Sequence, residues 1–182
     1  MHDLVPDSID PVVGWRVWDV VALDGALRLC SLAFWSIWLP RCEATATCRR
    51  GWVENPGALA PHTAPAEECT CGLYATRTVA HTLAYSRGVS RRGDTVHRVV
   101  GRVTMWGRVV EAEAGWRASH AYPAALYVPA GNRRRWRQAA RPAVPAEKVA
   151  LGLRDYGVPV ELVDASTDRE LATVLEPRRP KQ

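Results

Sequence analysis

The sequence predicts a single α+β domain that consists mostly of antiparallel sheet, with two helices and a long loop held by a metal ion. Three observations support this prediction. Valine-rich segments separated by glycine and proline recur along the chain, as is typical of antiparallel strands. Two segments have helical spacing and end at a glycine. Four of the five cysteines lie between residues 42 and 71, in a stretch without regular pattern.

The overall composition is that of a globular protein with one hydrophobic core. The chain has 182 residues, of which 47% are hydrophobic and 24% are charged, and this length is enough for one domain. The N-terminal segment is acidic and lacks the apolar core of a secretory signal. The longest apolar run, residues 29–40, is too short to span a bilayer. We therefore expect a cytoplasmic protein without a membrane partner.

The first part of the chain is predicted to contain a flexible lead, a hairpin and the long loop. Residues 1–14 form the lead, and the domain covers residues 15–164. Asp24-Gly25 lies between two β-rich runs and favours a tight hairpin turn. Residues 40–71 form the long loop and contain several prolines and glycines. A loop of this length is uncommon in a compact domain unless something holds it in place.

The two predicted helices follow from their spacing and their end signals. Residues 71–88 begin as a short strand and continue as a helix that Thr76 or Thr78 can cap. Residues 145–157 form the second helix, with a proline in its first turn and Gly157 at its end. These are the two helices of the predicted α+β domain.

The remaining strands are expected in the second half of the chain. Residues 95–113 form the most strand-like segment because they are rich in valine. Residues 115–129 are predicted to give two short strands separated at Pro123, and residues 158–164 give a closing strand. Residues 165–182 are predicted to be a short helix followed by a basic tail.

A candidate metal site lies at the end of the long loop. Cys69 and Cys71 stand two positions apart, so both thiols point to the same face of an extended strand. His62 precedes them, and the fourth ligand comes from Cys42 or Cys48. Thiolates and imidazole are typical ligands of closed, tetrahedral zinc sites, so the pattern predicts a structural zinc ion. The competing interpretations are small buried cysteines in a core strand and a catalytic thiol.

Several motifs resemble a family of uncharacterised actinobacterial proteins. They are His62-Thr63-Ala64-Pro65, the run Cys69-Thr70-Cys71-Gly72-Leu73-Tyr74-Ala75, and the later segments 101–109 and 156–160. The resemblance covers most of the chain, but that family has no known function to carry over. Its members have a cysteine preceded two places earlier by alanine, before the histidine. Ala46-Thr47-Cys48 matches that pattern, so the resemblance implies Cys48 as the fourth ligand.

The segment Gly72-Leu73-Tyr74-Ala75 also has a local similarity to ADP-ribosyltransferase folds. In those folds a strand of this type is followed by a short helix and a further strand. The similarity implies an NAD-using enzyme in which Tyr74 and Tyr85 are the pocket aromatics. Glu111 or Glu113 would then orient the ribose. The opening strand motif of those enzymes has no clear counterpart here, so the enzyme is the second interpretation of the chain.

Two arginine clusters favour a binding function instead. The net charge is +5, and arginines next to a tryptophan suit phosphate contact together with base stacking. The clusters consist of Arg87, Arg91 and Arg92, and of Arg133, Arg134, Arg135, Trp136 and Arg137. We therefore expect a small zinc-containing binding protein, with nucleic acid as the favoured partner. A protein-interaction domain with a structural zinc fits the same features, and the arginine excess also fits a GC-rich genome.

Overall fold

The structure, a computed structural model, describes residues 11–48, 62–89, 93–130, 144–165 and 167–176. These residues form one eight-stranded, mostly antiparallel sheet and three helices. The predicted α+β class is therefore confirmed in this part of the chain. The predicted fold contained two helices, but the short helix predicted after residue 164 also packs against the core and makes the number three. No helix among these residues is both long enough and apolar enough to cross a membrane.

The elements follow one another along the chain with the strands outnumbering the helices. The strands are β1 (Val12–Leu23), β2 (Ala26–Cys30), β3 (Ile37–Trp38), β4 (Ala44–Thr45), β5 (Leu73–Thr76), β6 (Thr95–Ala112), β7 (Gly115–Pro129) and β8 (Val160–Val163). The helices are α1 (Val79–Gly88), α2 (Ala146–Leu153) and α3 (Asp168–Leu175).

Four strands pair in a closed cycle at the centre of the sheet. β1 pairs with β6, β6 with β7, β7 with β5, and β5 with β1. β2 extends the sheet from β1, and β3 extends it from β2. β4 and β8 both pair with β7, and β8 is parallel to it. The long strand β7 therefore carries three shorter strands as well as β6.

The structure contains the hairpin turn and the helix ends that the sequence predicts. Asp24 and Gly25 have φ angles of 48° and 76° and join β1 to β2, which confirms the predicted hairpin. Thr78 begins α1 and its side chain accepts a hydrogen bond from the backbone N–H of His81. Gly157, with φ at 71°, follows the 3₁₀ turn that extends α2.

The prediction of two short strands over residues 115–129 was wrong, because the segment is one continuous strand. The pairing between β6 and β7 shifts between Arg102 and Val103, and Pro123 lies opposite Val103. The shift is the mark of a β-bulge, where one residue has no direct partner. A proline is tolerated at a bulge because it has no N–H to donate to the ladder.

Hydrophobic side chains cover both faces of the sheet. Trp18 and Leu29 lie on the face covered by α2, together with Leu153. Trp15 lies in a second cluster with side chains from α1 and with Leu171 of α3. Side chains of β1 contribute to both clusters because successive side chains of a strand point to opposite faces of the sheet. Since Leu171 is fully buried, α3 belongs to the core, whereas residues 177–182 lie outside the described residues.

One buried ion pair connects the sheet to the end of α1. Arg98 of β6 and Asp19 of β1 are direct cross-strand partners, and Nε of Arg98 lies 2.7 Å from Oδ1 of Asp19. Both side chains are nearly inaccessible to solvent. Nη1 of Arg98 also donates to the carbonyl oxygen of Ser86 at 2.8 Å, near the C-terminus of α1. A cation is favourable there because the helix dipole is negative at this end.

Candidate metal centre

The strand β7 brings the two ends of the long loop together. Ala44 of β4 pairs with Ala121, and Leu73 of β5 pairs with Ala118, only three positions away on the same strand. β6 pairs with the same part of β7, so β4 and β5 occupy its other edge together. The chain leaves β4 towards Cys48 and returns into β5 through residues 69–72. Sheet pairing thus places both ends of the loop side by side.

Four side chains converge at this point. The Sγ atoms of Cys48, Cys69 and Cys71 and a ring nitrogen of His62 all lie within 4.8 Å of one another. The Cys48 and Cys69 sulfurs are 3.7 Å apart, and Nε2 of His62 is 3.4 Å from the Cys71 sulfur. A tetrahedral zinc ion with bonds of about 2.3 Å to sulfur and about 2.0 Å to nitrogen requires a sulfur–sulfur separation of about 3.8 Å and a sulfur–nitrogen separation of about 3.5 Å. The observed separations are close to those values.

The structure distinguishes between the two cysteines that the residue pattern alone left open. Cys48 belongs to the cluster, as the resemblance implied. Cys42 is exposed and lines a shallow surface hollow with Arg28, Arg41 and Asp155. It follows that the four side chains that converge are the same four that were singled out from the sequence.

Cys69 and Cys71 precede β5 and do not lie within it. The backbone N–H of Cys69 donates to the carbonyl oxygen of Ala66 at 3.2 Å, so the first cysteine sits in a turn. Gly72 follows the second cysteine with φ at 129°. A Cβ added to Gly72 would lie 3.0 Å from Cβ of Arg117 and 3.1 Å from Cβ of Pro65. The turn and the glycine, and not an extended strand, therefore direct the two thiols towards the same point.

The segment of residues 62–72, called the ligand loop below, is also held by an arginine from β7. Nη1 of Arg117 donates to the carbonyl oxygens of Ala66 at 3.2 Å and Cys71 at 2.9 Å, and to that of Cys69. Arg117 lies directly opposite Tyr74 in the pairing of β5 with β7. Sequence reasoning missed this residue, because the pairing partner of the C-x-C segment cannot be read from the spacing of the cysteines.

The thiols of the cluster influence the proton affinity of one another. Burial opposes ionisation of Cys69, but hydrogen bonds from the backbone and thiol of Cys71, from Cys48 and from His62 outweigh it and lower the pKa of Cys69 to about 7. Burial raises the pKa of Cys71, and the neighbouring Cys69 raises it further. The two neighbouring thiols therefore have different proton affinities, which is expected where several titratable groups face one another.

The donor set has the chemistry of a closed zinc site. Three thiolates and one imidazole complete a tetrahedron and leave no position for a catalytic water. Comparisons of this chain with protein-family models, curated proteins and solved structures found no match. The ligand types are soft or borderline, and a tetrahedral set of that kind suits zinc better than magnesium or calcium. The cluster is therefore compatible with zinc on its own geometry.

The two tyrosines of the enzyme interpretation belong to β5 and α1. Tyr74 and Tyr85 are both exposed. Partial burial raises the pKa of Tyr74, and Tyr85 is close enough to contribute to the same shift. The hydroxyl of Tyr74 donates to the carbonyl oxygen of Thr70 in the ligand loop. Tyr74 therefore adjoins the metal centre.

The two glutamates of that interpretation are not brought to the tyrosines. Tyr74 lies opposite Arg117 on β7, whereas Glu111 of β6 lies opposite Trp116. Neighbouring residues of a strand point to opposite faces, so Glu111 and Tyr74 project from different faces of the sheet. Glu111 forms an ion pair with Arg77, and Glu113 lies in the turn between β6 and β7.

The arginine clusters fall almost entirely outside the described residues. Arg87 is the exception, and its guanidinium lies 3.5 Å from a carboxylate oxygen of Asp168 at the start of α3. The others are Arg91, Arg92, Arg133, Arg134, Arg135, Trp136 and Arg137. Their role in binding nucleic acid stays a prediction from the sequence.

Proposed function

We propose that this chain is a small binding protein whose long loop is fixed to the sheet by one structural zinc ion. The observation that carries the proposal is the convergence of four soft or borderline donors within 4.8 Å of one another, with two of the separations close to those of a zinc tetrahedron. Cys48, His62, Cys69 and Cys71 would be the ligands. Cys48 follows β4 and the other three precede β5, so the ion would cross-link the two ends of the long loop.

A structural role fits this site better than a catalytic one. A catalytic zinc needs an open coordination position for water or substrate, and all four positions here are matched by protein donors. Cys69 is buried, and Cys48 and Cys71 are partly buried. An ion held in this way would contribute to folding free energy, because the site does not exist in the unfolded chain.

The first experiment is elemental analysis of the purified, reduced protein together with three variants. We expect about one zinc per chain in the wild type. His62→Ala and Cys71→Ser should both lose the metal and lower the unfolding temperature. Cys42→Ser is the matched control, since that thiol is exposed and lies outside the cluster; it should retain the zinc. Metal-free wild type would refute the zinc site, and the cysteines would then be a core feature.

The proposed partner is nucleic acid. The net charge of +5 and the arginine clusters around Trp136 support an anionic partner, because guanidinium groups contact phosphate and an aromatic ring stacks on bases. A protein partner with an acidic surface is the other outcome that the same charges allow.

Binding of fluorescently labelled single- and double-stranded oligonucleotides at several salt concentrations tests this choice. We expect the logarithm of the affinity to fall linearly with the logarithm of salt concentration. A variant with Arg133, Arg134 and Arg135 changed to Gln should have a shallower slope, by about one unit for each phosphate that the variant no longer neutralises. No binding at about 50 mM salt would exclude nucleic acid while leaving the zinc site unaffected.

An NAD-using enzyme is the second candidate, and one observation favours it. Tyr74 and Tyr85 are both exposed, so both rings are accessible to a nicotinamide ring. The separation of Glu111 from them counts against it. Thermal unfolding with and without NAD distinguishes the candidates: stabilisation that disappears in Tyr85→Ala supports the enzyme, and unchanged unfolding supports the binding protein.

A further inference from the structure

Arg117 holds the ligand loop through hydrogen bonds to three backbone carbonyl groups. Its Nη1 donates to the carbonyl oxygens of Ala66, Cys69 and Cys71, and two of these residues are candidate metal ligands. The guanidinium is attached to β7, which pairs with β5 on one edge and with β6 on the other. The loop is therefore held from a strand whose own position is fixed on both sides.

The charge of Arg117 has no acidic partner among the described residues. The ion pairs of this part of the chain join Arg77 to Glu111, Arg87 to Asp168 and Arg98 to Asp19. Arg117 is only partly exposed, and a guanidinium stays protonated in proteins. A partly buried charge is costly unless an opposite charge lies close to it.

The cluster with zinc bound to its ionised thiols would supply that opposite charge. Three thiolates and a neutral imidazole around Zn²⁺ give a net charge of −1, since +2 and −3 are summed. Arg117 carries +1, and the carbonyl groups that it contacts belong to the loop that carries two of the thiolates. Loaded centre and arginine together are therefore neutral, which lowers the cost of holding a charged cluster away from water.

We infer that Arg117 is a positioning residue of the metal centre. Its hydrogen bonds hold the ligand loop in the turn that aims Cys69 and Cys71 at a common point, and its charge balances the negative charge of the loaded site. The inference rests on the proposed zinc site. Lysine would keep the positive charge at this position, but its compact ammonium group would replace the planar guanidinium that makes these contacts.

Zinc affinity measured by competition with a chromophoric chelator tests the inference in three variants. Arg117→Gln removes the charge and should weaken zinc binding by about 10- to 100-fold, the range for partners that support metal ligands. Arg117→Lys keeps the charge and should recover part of the loss. Arg102→Gln is the matched control: Arg102 is also partly exposed, and lies 4.8 Å over the Trp15 ring. It should bind zinc like the wild type.

The visible spectrum of the cobalt-substituted protein provides a readout that simple loss of stability would not change. We expect the ligand-field bands of Arg117→Gln to shift or weaken, because the thiolates are no longer aimed at one point, and those of Arg102→Gln to match the wild type. Equal zinc affinity and identical cobalt spectra in Arg117→Gln and wild type would overturn the inference.

The outcomes separate this inference from the zinc site on which it rests. If the wild type binds no zinc, the proposed function fails first. If the wild type binds zinc and Arg117→Gln binds it equally well, only the role of Arg117 fails. Should Arg117→Gln not fold, Arg117→Lys decides: weaker binding than in the wild type supports the inference, and wild-type affinity with an unchanged cobalt spectrum overturns it.

Discussion

Arg98 and Arg117 fasten two different parts of the chain to the same sheet, and they do so in different ways. Arg98 is paired with the carboxylate of Asp19 at 2.7 Å and also donates to a carbonyl oxygen at the end of α1. Arg117 contacts three carbonyl oxygens of the ligand loop and has no carboxylate partner among the described residues. In the first region, the charge of the arginine is balanced by a carboxylate of the protein itself. In the second region, the charge of Arg117 would be balanced when the thiols of the cluster are ionised and hold a zinc ion.

This difference indicates which region should depend on a bound metal and on the oxidation state of the thiols. The end of α1 is held by hydrophobic packing and a buried ion pair, and neither requires a ligand. The ligand loop contributes few buried apolar side chains, so its position depends on Arg117 and on the proposed ion. We therefore expect chelators and oxidants to affect the ligand loop first, whereas mutation of the ion pair affects the core.

Removal of the metal should have the largest effect on stability. The structural change should at first be confined to the ligand loop and β5. We expect a strong chelator to lower the unfolding temperature by about 10 °C or more, because structural zinc contributes several kcal/mol and 1 kcal/mol corresponds to about 2–4 °C at this size. Hydrogen exchange at room temperature should accelerate in residues 69–76 and change little in residues 79–88. Equal acceleration in both segments would show that the two regions are not separable in this way.

Breaking the buried ion pair should have the next largest effect. Asp19→Asn leaves the guanidinium of Arg98 buried without its counter-charge, so we expect a loss of about 3–5 kcal/mol in the free energy of unfolding, measured by urea denaturation. Zinc content should stay at the wild-type level. The double variant Asp19→Leu with Arg98→Met should recover much of the loss, since it removes both charges. No recovery would mean that side-chain packing, and not the unpaired charge, dominates.

A side chain at Gly72 should disturb the ligand loop more than one at a comparable glycine elsewhere. Gly72→Ala places a methyl group at φ 129° and within about 3 Å of Arg117 and Pro65, so we expect a loss of about 1–3 kcal/mol and weaker zinc binding. Gly25→Ala is the matched control, with φ at 76° and nothing within 4 Å of the added atom. It should lose stability through the backbone but bind zinc normally. Equal zinc affinity in both variants contradicts the expectation.

The smallest effect is expected at Tyr156, which does not belong to the metal cluster. Its hydroxyl accepts a hydrogen bond from the N–H of Leu29 at 2.9 Å and donates to the carbonyl oxygen of Trp38 at 2.5 Å. Tyr156→Phe leaves both groups without this partner, so we expect a loss of about 1–2 kcal/mol by urea denaturation. Zinc content should not change, and a change in it would contradict the separation of the two regions.

The same hydroxyl predicts a dependence of stability on alkaline pH. Burial raises the pKa of Tyr156 to about 12, from an unfolded value of about 10. A raised pKa means that the unfolded chain loses this proton first. The contribution is therefore complete below about pH 10 and disappears as the pH rises towards 12. The fall in stability over this interval should be smaller in Tyr156→Phe than in the wild type.

Short-range signals in the sequence predicted several elements correctly. The Asp24-Gly25 turn, the Thr78 cap of α1 and the end of α2 near Gly157 all depend on residues within a few positions of one another. The third helix was missed as part of the core because its burial depends on contact with α1. The continuous β7 was missed because a bulge that accommodates Pro123 requires the partner strand.

For the candidate site, too, some residues could be predicted from the sequence and others only from strand pairing. Residue types and the C-x-C pattern were sufficient to single out His62, Cys69 and Cys71, since the affinity of thiolate and imidazole for zinc is a property of the side chains themselves. Spacing did not distinguish Cys42 from Cys48. That distinction depends on where β4 pairs with β7, and pairing between distant strands leaves no periodic trace in the sequence.

The sequence by itself determined the donors, the basic charge and the local turns, because each of these is a property of single residues or close neighbours. Only the tertiary structure decided that β4 and β5 share one edge of β7, and with it which cysteine joins the cluster and which arginine supports it. The physical reason is that a metal centre requires atoms within a few ångströms of one another. Here that proximity is produced by strand pairing across long separations along the chain.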